Sequence, residues 1–100
     1  MSLLDLLDEG AGELDQVERV QTADAVEWRR GDRPFAAATG SAAEFRLDPP
    51  VTAAALRTPD THPSSRGTDW VRFEPAELDP PAVDRARAWF ASAWRRAGKA

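Results

Sequence analysis

Cysteine and tyrosine are absent from this chain, and histidine, lysine and methionine each occur once, as His62, Lys99 and Met1. Without cysteine there is no disulfide, no thiolate nucleophile and no thiolate-held metal, so stability must come from packing. A single histidine beside scattered carboxylates lacks the ligand spacings of a zinc site or a calcium loop, so neither a metal nor a cofactor is expected. Glycines fall singly, which leaves no dinucleotide fingerprint and no phosphate loop. No apolar run approaches the roughly 20 residues that cross a bilayer, so no membrane partner is expected. At the N-terminus, Met1-Ser2-Leu3-Leu4 runs into Asp5 and then Asp8-Glu9. That is not the basic, then apolar, order of a secretory leader, and the expected location is the cytoplasm.

What the chain does have is aromatic mass. Trp28, Trp70, Trp89 and Trp94 join Phe35, Phe45, Phe73 and Phe90, all beyond residue 27. One hundred residues suit one domain that buries roughly 65% of its unfolded surface, and these rings are the material for its core. The formal charge of −4 is unevenly spread. Residues 1–24 carry seven acids against Arg19 alone, whereas 25–100 carry ten acids against twelve bases. Residues 85–100 hold Arg85, Arg87, Arg95, Arg96 and Lys99 with no acid.

Local patterns give the elements. Ser2 is placed to cap a short leucine-rich helix ended by Gly10 or Gly12, and residues 1–15 read as an acidic helix that docks loosely on a domain spanning 1–100. From Val17 to Thr22 the pattern fits either a helical turn or a first strand. Period-two alternation at Ala25-Val26-Glu27-Trp28-Arg29-Arg30, a turn at Gly31-Asp32, and Arg33-Pro34-Phe35-Ala36-Ala37-Ala38 predict a hairpin. Ala43 to Leu47 adds a third strand, making an antiparallel meander. Pro34 should sit at a strand start or an edge.

Asp48-Pro49-Pro50 and Asp79-Pro80-Pro81 each signal a helix start, with the carboxylate as cap. The first opens a short helix through Arg57, followed by a polar loop from Pro59 to Thr68. A strand over Asp69 to Glu74 places Val71 and Phe73 on one face and Trp70 beside Arg72 on the other, where the guanidinium can lie over the indole. The second start signal opens a closing amphipathic helix with Val83, Ala86, Trp89, Phe90, Ala93, Trp94 and Ala97 on one arc. The expected fold is α+β: a meander extended by the strand at 69–74 and packed against the closing helix. Its expected centre is Trp89, Phe90, Trp94, Phe73, Phe45, Phe35, Val71 and Leu47.

Candidate chemistry is sparse. His62 sits in the most loop-like stretch with no nucleophile partner. The acids at Asp5, Asp8 and Glu9, and at Glu74, Glu77 and Asp79, are explained by capping and solvation. Ser64-Ser65-Arg66-Gly67 has the make-up of an anion cradle, although turn chemistry accounts for it too. The best nucleic-acid feature is the basic helix face, with Arg85, Arg95 and Arg96, supplemented by Arg29, Arg30 and Arg33 of the hairpin. A solvated face that complements the helix dipole is the plainer explanation of the same residues.

These residues resemble the MmcQ/YjbR-like family of small bacterial proteins over about Val17 to Ala97. The resemblance lies in Val17-Glu18, the hairpin from Val26 to Ala36, Glu44-Phe45-Arg46-Leu47-Asp48-Pro49 with Ala54-Ala55-Leu56-Arg57, Arg66-Gly67-Thr68-Asp69-Trp70-Val71, and Ala93-Trp94. It implies an α+β fold likened to double-wing DNA-binding domains. Residues 43–97 are also similar to the small luciferase-domain proteins. The expected function is a non-enzymatic binding module for nucleic acid, its basic face shielded by the acidic N-terminus. The competing expectation is a protein-interaction subunit anchored by exposed Trp28 or Trp70, on a partner or a second copy.

Overall fold

The structure, a computed structural model, describes residues 1–99. Helix α1 (Leu3–Gly12) opens the chain, and Ser2 caps it by accepting from the Asp5 amide at 3.1 Å. Its leucines 3, 6 and 7 recur at helical spacing and are all buried, so α1 is part of the core. Strand β1 (Glu18–Gln21) resolves the ambiguous 17–22 stretch as strand. The meander follows as β2 (Val26–Arg30), β3 (Arg33–Thr39) and β4 (Ala42–Arg46), joined through Gly31 and Gly40 at φ 66° and 58°. Such left-handed turns match the strand twist and suit glycine. Pro34, second in β3, faces Arg29 beside a register shift between Trp28 and Arg29, where a missing donor costs little.

Helix α2 (Pro49–Ala55) leads to β5 (Thr61–Pro63), β6 (Trp70–Phe73) and α3 (Pro80–Ala97). All pairings are antiparallel, in the order β1-β2-β3-β4-β6-β5. The stretch expected to be loop from Pro59 to Thr68 thus holds a three-residue edge strand. Both edge strands are short, which limits edge-to-edge association.

Alternation sorts the sheet into two faces. The first face carries Val26, Trp28, Phe35, Ala36, Phe45, Val71 and Phe73, all buried, and α3 packs on it. Phe90 is the hub: it lies 5.5 Å from Trp28, edge to face, and 5.3 Å from Phe35, between ring centroids. Trp89 reaches Phe45 and Phe73 at 6.1 and 5.2 Å. Of the eight residues expected at the centre, Phe90, Phe73, Phe45, Phe35, Val71 and Leu47 are buried, while Trp89 and Trp94 lie half-buried at the margin of the helix. The second face carries a cross-strand row of Glu27, Ala37, Glu44, Arg72 and His62. Here one face is apolar and covered and the other polar, as antiparallel sheets allow.

No helix among the described residues is long and apolar enough to cross a membrane.

Candidate anion-binding cleft

The two Asp-Pro-Pro signals behave differently. Asp79 accepts from the Ala82 amide at 2.9 Å and caps α3. Asp48 has the same extended backbone before α2 but makes no cap bond. Its carboxylate instead accepts from Arg96 Nε at 3.1 Å and from Lys99 Nζ at 3.0 Å. The expected cap is thus lost to two cations some fifty residues along the chain.

Those contacts lie along a cleft of about 400 Å³ between the C-terminal turn of α3 and the adjoining ends of β3 and β4. Among the described residues four cations line it, Arg33, Arg46, Arg96 and Lys99, against one lining carboxylate, Asp48. Asp69 adds a second carboxylate behind them, bound by Arg46 Nε at 2.8 Å and Arg96 Nη2 at 3.1 Å. Arg33 Nη1 donates to the Ala97 and Lys99 carbonyls at 3.4 and 2.6 Å, which neutralises the orphan acceptors at the end of α3.

The carboxyls feel this setting. A hydrogen bond from Lys99, aided by the charges of Lys99 and Arg96, holds Asp48 below its ordinary range against the opposing effect of burial. For Asp69 burial acts upward, but the hydrogen bond from Arg46, its own backbone amide and the charges of Arg46 and Arg96 outweigh it.

The arginines expected on the basic helix face, Arg85, Arg95 and Arg96, and those expected to supplement it from the hairpin, Arg29, Arg30 and Arg33, are dispersed. Arg33 and Arg96 meet in the cleft. Arg29 lies on the second sheet face and pairs with Glu27 at 2.9 Å. Arg30 stacks 3.9 Å over Trp94 and donates to its carbonyl at 3.1 Å. A Cβ at Gly98 would collide with that guanidinium, so a side chain there would displace Arg30. Arg85 lies 5.5 Å over Phe73 near the start of α3, about 16 Å along the helix axis from Arg96. Arg95 is exposed and makes no ion pair among the described residues. Sequence reasoning passed over Arg46, Asp48 and Asp69 as cleft residues, and only the acid-free run ending at Lys99 hinted at the site.

The expectation of exposed tryptophan anchors is corrected. Trp28 is 0% exposed because α3 lies over it, and Trp70 is 8% exposed. Arg66, not Arg72, covers Trp70, with its guanidinium 5.3 Å from the ring. Arg66 belongs to a second charged cluster on that sheet face. Its Nε and Nη1 donate to Glu44 and Glu27, each at 3.0 Å. Buried Glu44 also accepts a hydrogen bond from the Ser64 hydroxyl. Burial pushes Glu27 upward, but hydrogen bonds from Arg29 and Arg66 hold it below the ordinary glutamate value. In the segment with the make-up of an anion cradle, the Ser64 hydroxyl and the Arg66 guanidinium are therefore already taken by the chain's own carboxylates. Among the described residues, no three His, Asp or Glu side chains converge as a metal would require.

No protein-family model and no curated protein matches the chain. Among solved structures it is similar to a protein from Pseudomonas syringae, a structural genomics crystal structure, with a TM-score of 0.70 and 11% identity over 97% of this chain and 99% of that one. At that identity the likeness speaks for fold alone. The fold is α+β, a six-stranded antiparallel sheet with a short N-terminal, a short middle and a long C-terminal helix.

Proposed function

We propose that this protein is a non-enzymatic binding module whose ligand presents a phosphate group to the cleft at the end of α3. The observation that carries the reading is the set of four cations around it. Asp48 and Asp69 offset two of them, leaving two positive charges to be met by a dianion. Arginine does not release its proton in proteins, so three of the four groups are suited to holding an anion rather than to moving protons. The phosphate has two natural sources, a small phosphorylated molecule or the backbone of nucleic acid. The MmcQ/YjbR-like resemblance, through its double-wing association, favours the second. The cleft's small size and the chain's net charge of −4 favour the first.

Titration with inorganic phosphate, and separately with random duplex DNA at about 50 and 200 mM salt, tests the reading through tryptophan emission and anisotropy. Saturable phosphate binding that Arg96→Gln abolishes, with duplex no tighter, identifies a small ligand. Much tighter duplex binding, falling linearly with log salt, identifies the nucleic-acid backbone. Binding of neither, or binding indifferent to Arg96→Gln, removes the cleft as a site.

A further inference from the structure

The contrast between Asp48 and Asp79 carries one step further, resting on the anion-binding reading of the cleft. Both residues precede Pro-Pro, both have extended backbone, with φ/ψ of −60°/150° and −73°/169°, and both open a helix. Asp79 takes the local partner, the amide three residues on. The equivalent amide for Asp48 is that of Val51, and the Asp48 carboxylate turns away from it to Arg96 and Lys99. The backbone that lets Asp79 reach its amide is thus also present at Asp48, whose carboxylate lies elsewhere.

We infer that Asp48 is an internal competitor for the cleft: its carboxylate holds Arg96 and Lys99 until an oxyanion displaces it, whereupon it swings to the Val51 amide and caps α2. The exchange leaves both cations partnered, while the carboxylate trades two charge-assisted hydrogen bonds for one. The incoming phosphate oxygens take the donors of Arg96 and Lys99, and the released carboxylate gains the donor that Asp79 already has at α3. Asp69 remains on Arg46, so the cleft keeps its shape while the gate moves. Ligand selectivity follows from the same trade. An anion must outbid a carboxylate already in place, which disfavours monocarboxylates and favours a dianionic phosphate.

Asp48→Asn tests this, because asparagine retains the capping preference of aspartate and removes only the competing charge. Inorganic phosphate titrated by calorimetry should bind Asp48→Asn about 2- to 5-fold more tightly than the unaltered chain, the size expected of a solvent-exposed charge pair. A second readout follows the Val51 amide by NMR. In the unaltered chain phosphate should shift this resonance and slow its hydrogen exchange. In Asp48→Asn the shift should be nearly absent, since the amide side chain already sits there. Equal affinities with a silent Val51 overturn the gate and leave the anion cleft standing. No saturable phosphate binding by either chain overturns both.

Discussion

At the scale of single residues, Phe90 and Arg66 set the strongest demands. Phe90 is 2% exposed and joins three elements: its ring meets Trp28 and Phe35, and a Cβ on Gly10 of α1 would lie 3.5 Å from it. Phe90→Ala should therefore cost about 3–5 kcal/mol by denaturant unfolding, as large-to-small core changes do. A loss below about 1 kcal/mol would mean that the site collapses to fill the gap, contrary to a ring held from three sides. Arg66 bridges two carboxylates of which Glu44 is buried, so Arg66→Met leaves Glu44 charged and unpaired. Breaking a fully buried pair costs about 3–5 kcal/mol; with a quarter of the Arg66 side chain exposed, about 2–3 is expected. Adding Glu44→Gln should recover part of that loss, a non-additivity that a double-mutant cycle reads directly. The aromatic core was legible in the sequence because period-two alternation put Val26 with Trp28, and Val71 with Phe73, on common faces. That Trp70 is also buried was not legible, since its cover comes from a guanidinium in a polar turn rather than from any apolar pattern.

At the scale of elements, local signals that need no partner are legible in the sequence and those that depend on one are not. Ser2 and Asp79 cap as expected because the amides they bind lie three residues on. Asp48 carries the same signal but answers to Arg96 and Lys99, which no window around residue 48 contains. Strand β5 is Thr61-His62-Pro63, with no apolar alternation, and the adjacency of β6 makes it a strand. Helix α1 shows how packing changes an experiment. Read as a loosely docked acidic shield, it invites deletion of residues 1–15 to strengthen nucleic-acid binding. With Leu3, Leu6 and Leu7 buried, the deletion removes about 5–9 kcal/mol of apolar burial, comparable to the whole stability of a small domain. The truncated chain should lose its cooperative thermal transition. A truncated form that melts within a few degrees of the full chain would show that α1 is an appendage after all. Shielding is better tested by Asp5→Asn, Asp8→Asn and Glu9→Gln together, which remove charge and leave the leucines in place.

Over the whole molecule, charge is organised as two clusters, one balanced on the second sheet face and one in the cleft that keeps two cations in excess, instead of the single basic face that the arginine-rich tail suggested. The asymmetry in composition is real, and pairing across the fold takes up part of it: Arg87 lies 3.7 Å from Glu9, Arg96 and Lys99 hold Asp48, and Arg66 holds Glu27 and Glu44. The consequence is a directional pH dependence. Glu27, Asp48 and Asp69 all titrate lower in the folded chain than their ordinary values of 4.5, 3.8 and 3.8. A carboxyl whose folded value is depressed binds its proton more readily when unfolded, so its stabilisation is complete above the ordinary value and is lost as pH falls through the folded one. Stability should therefore hold steady near neutrality and begin to fall below about pH 5, continuing to drop through the acid range as the arginines lose their partners. Glu27→Gln should flatten part of that acid limb while lowering stability at pH 7, because it discards the charge that Arg29 and Arg66 hold in place. Thermal unfolding from pH 7 to pH 3 tests both. A melting temperature that rises on acidification would mean that burial of these carboxyls outweighs their arginines, the reverse of the balance the two clusters imply.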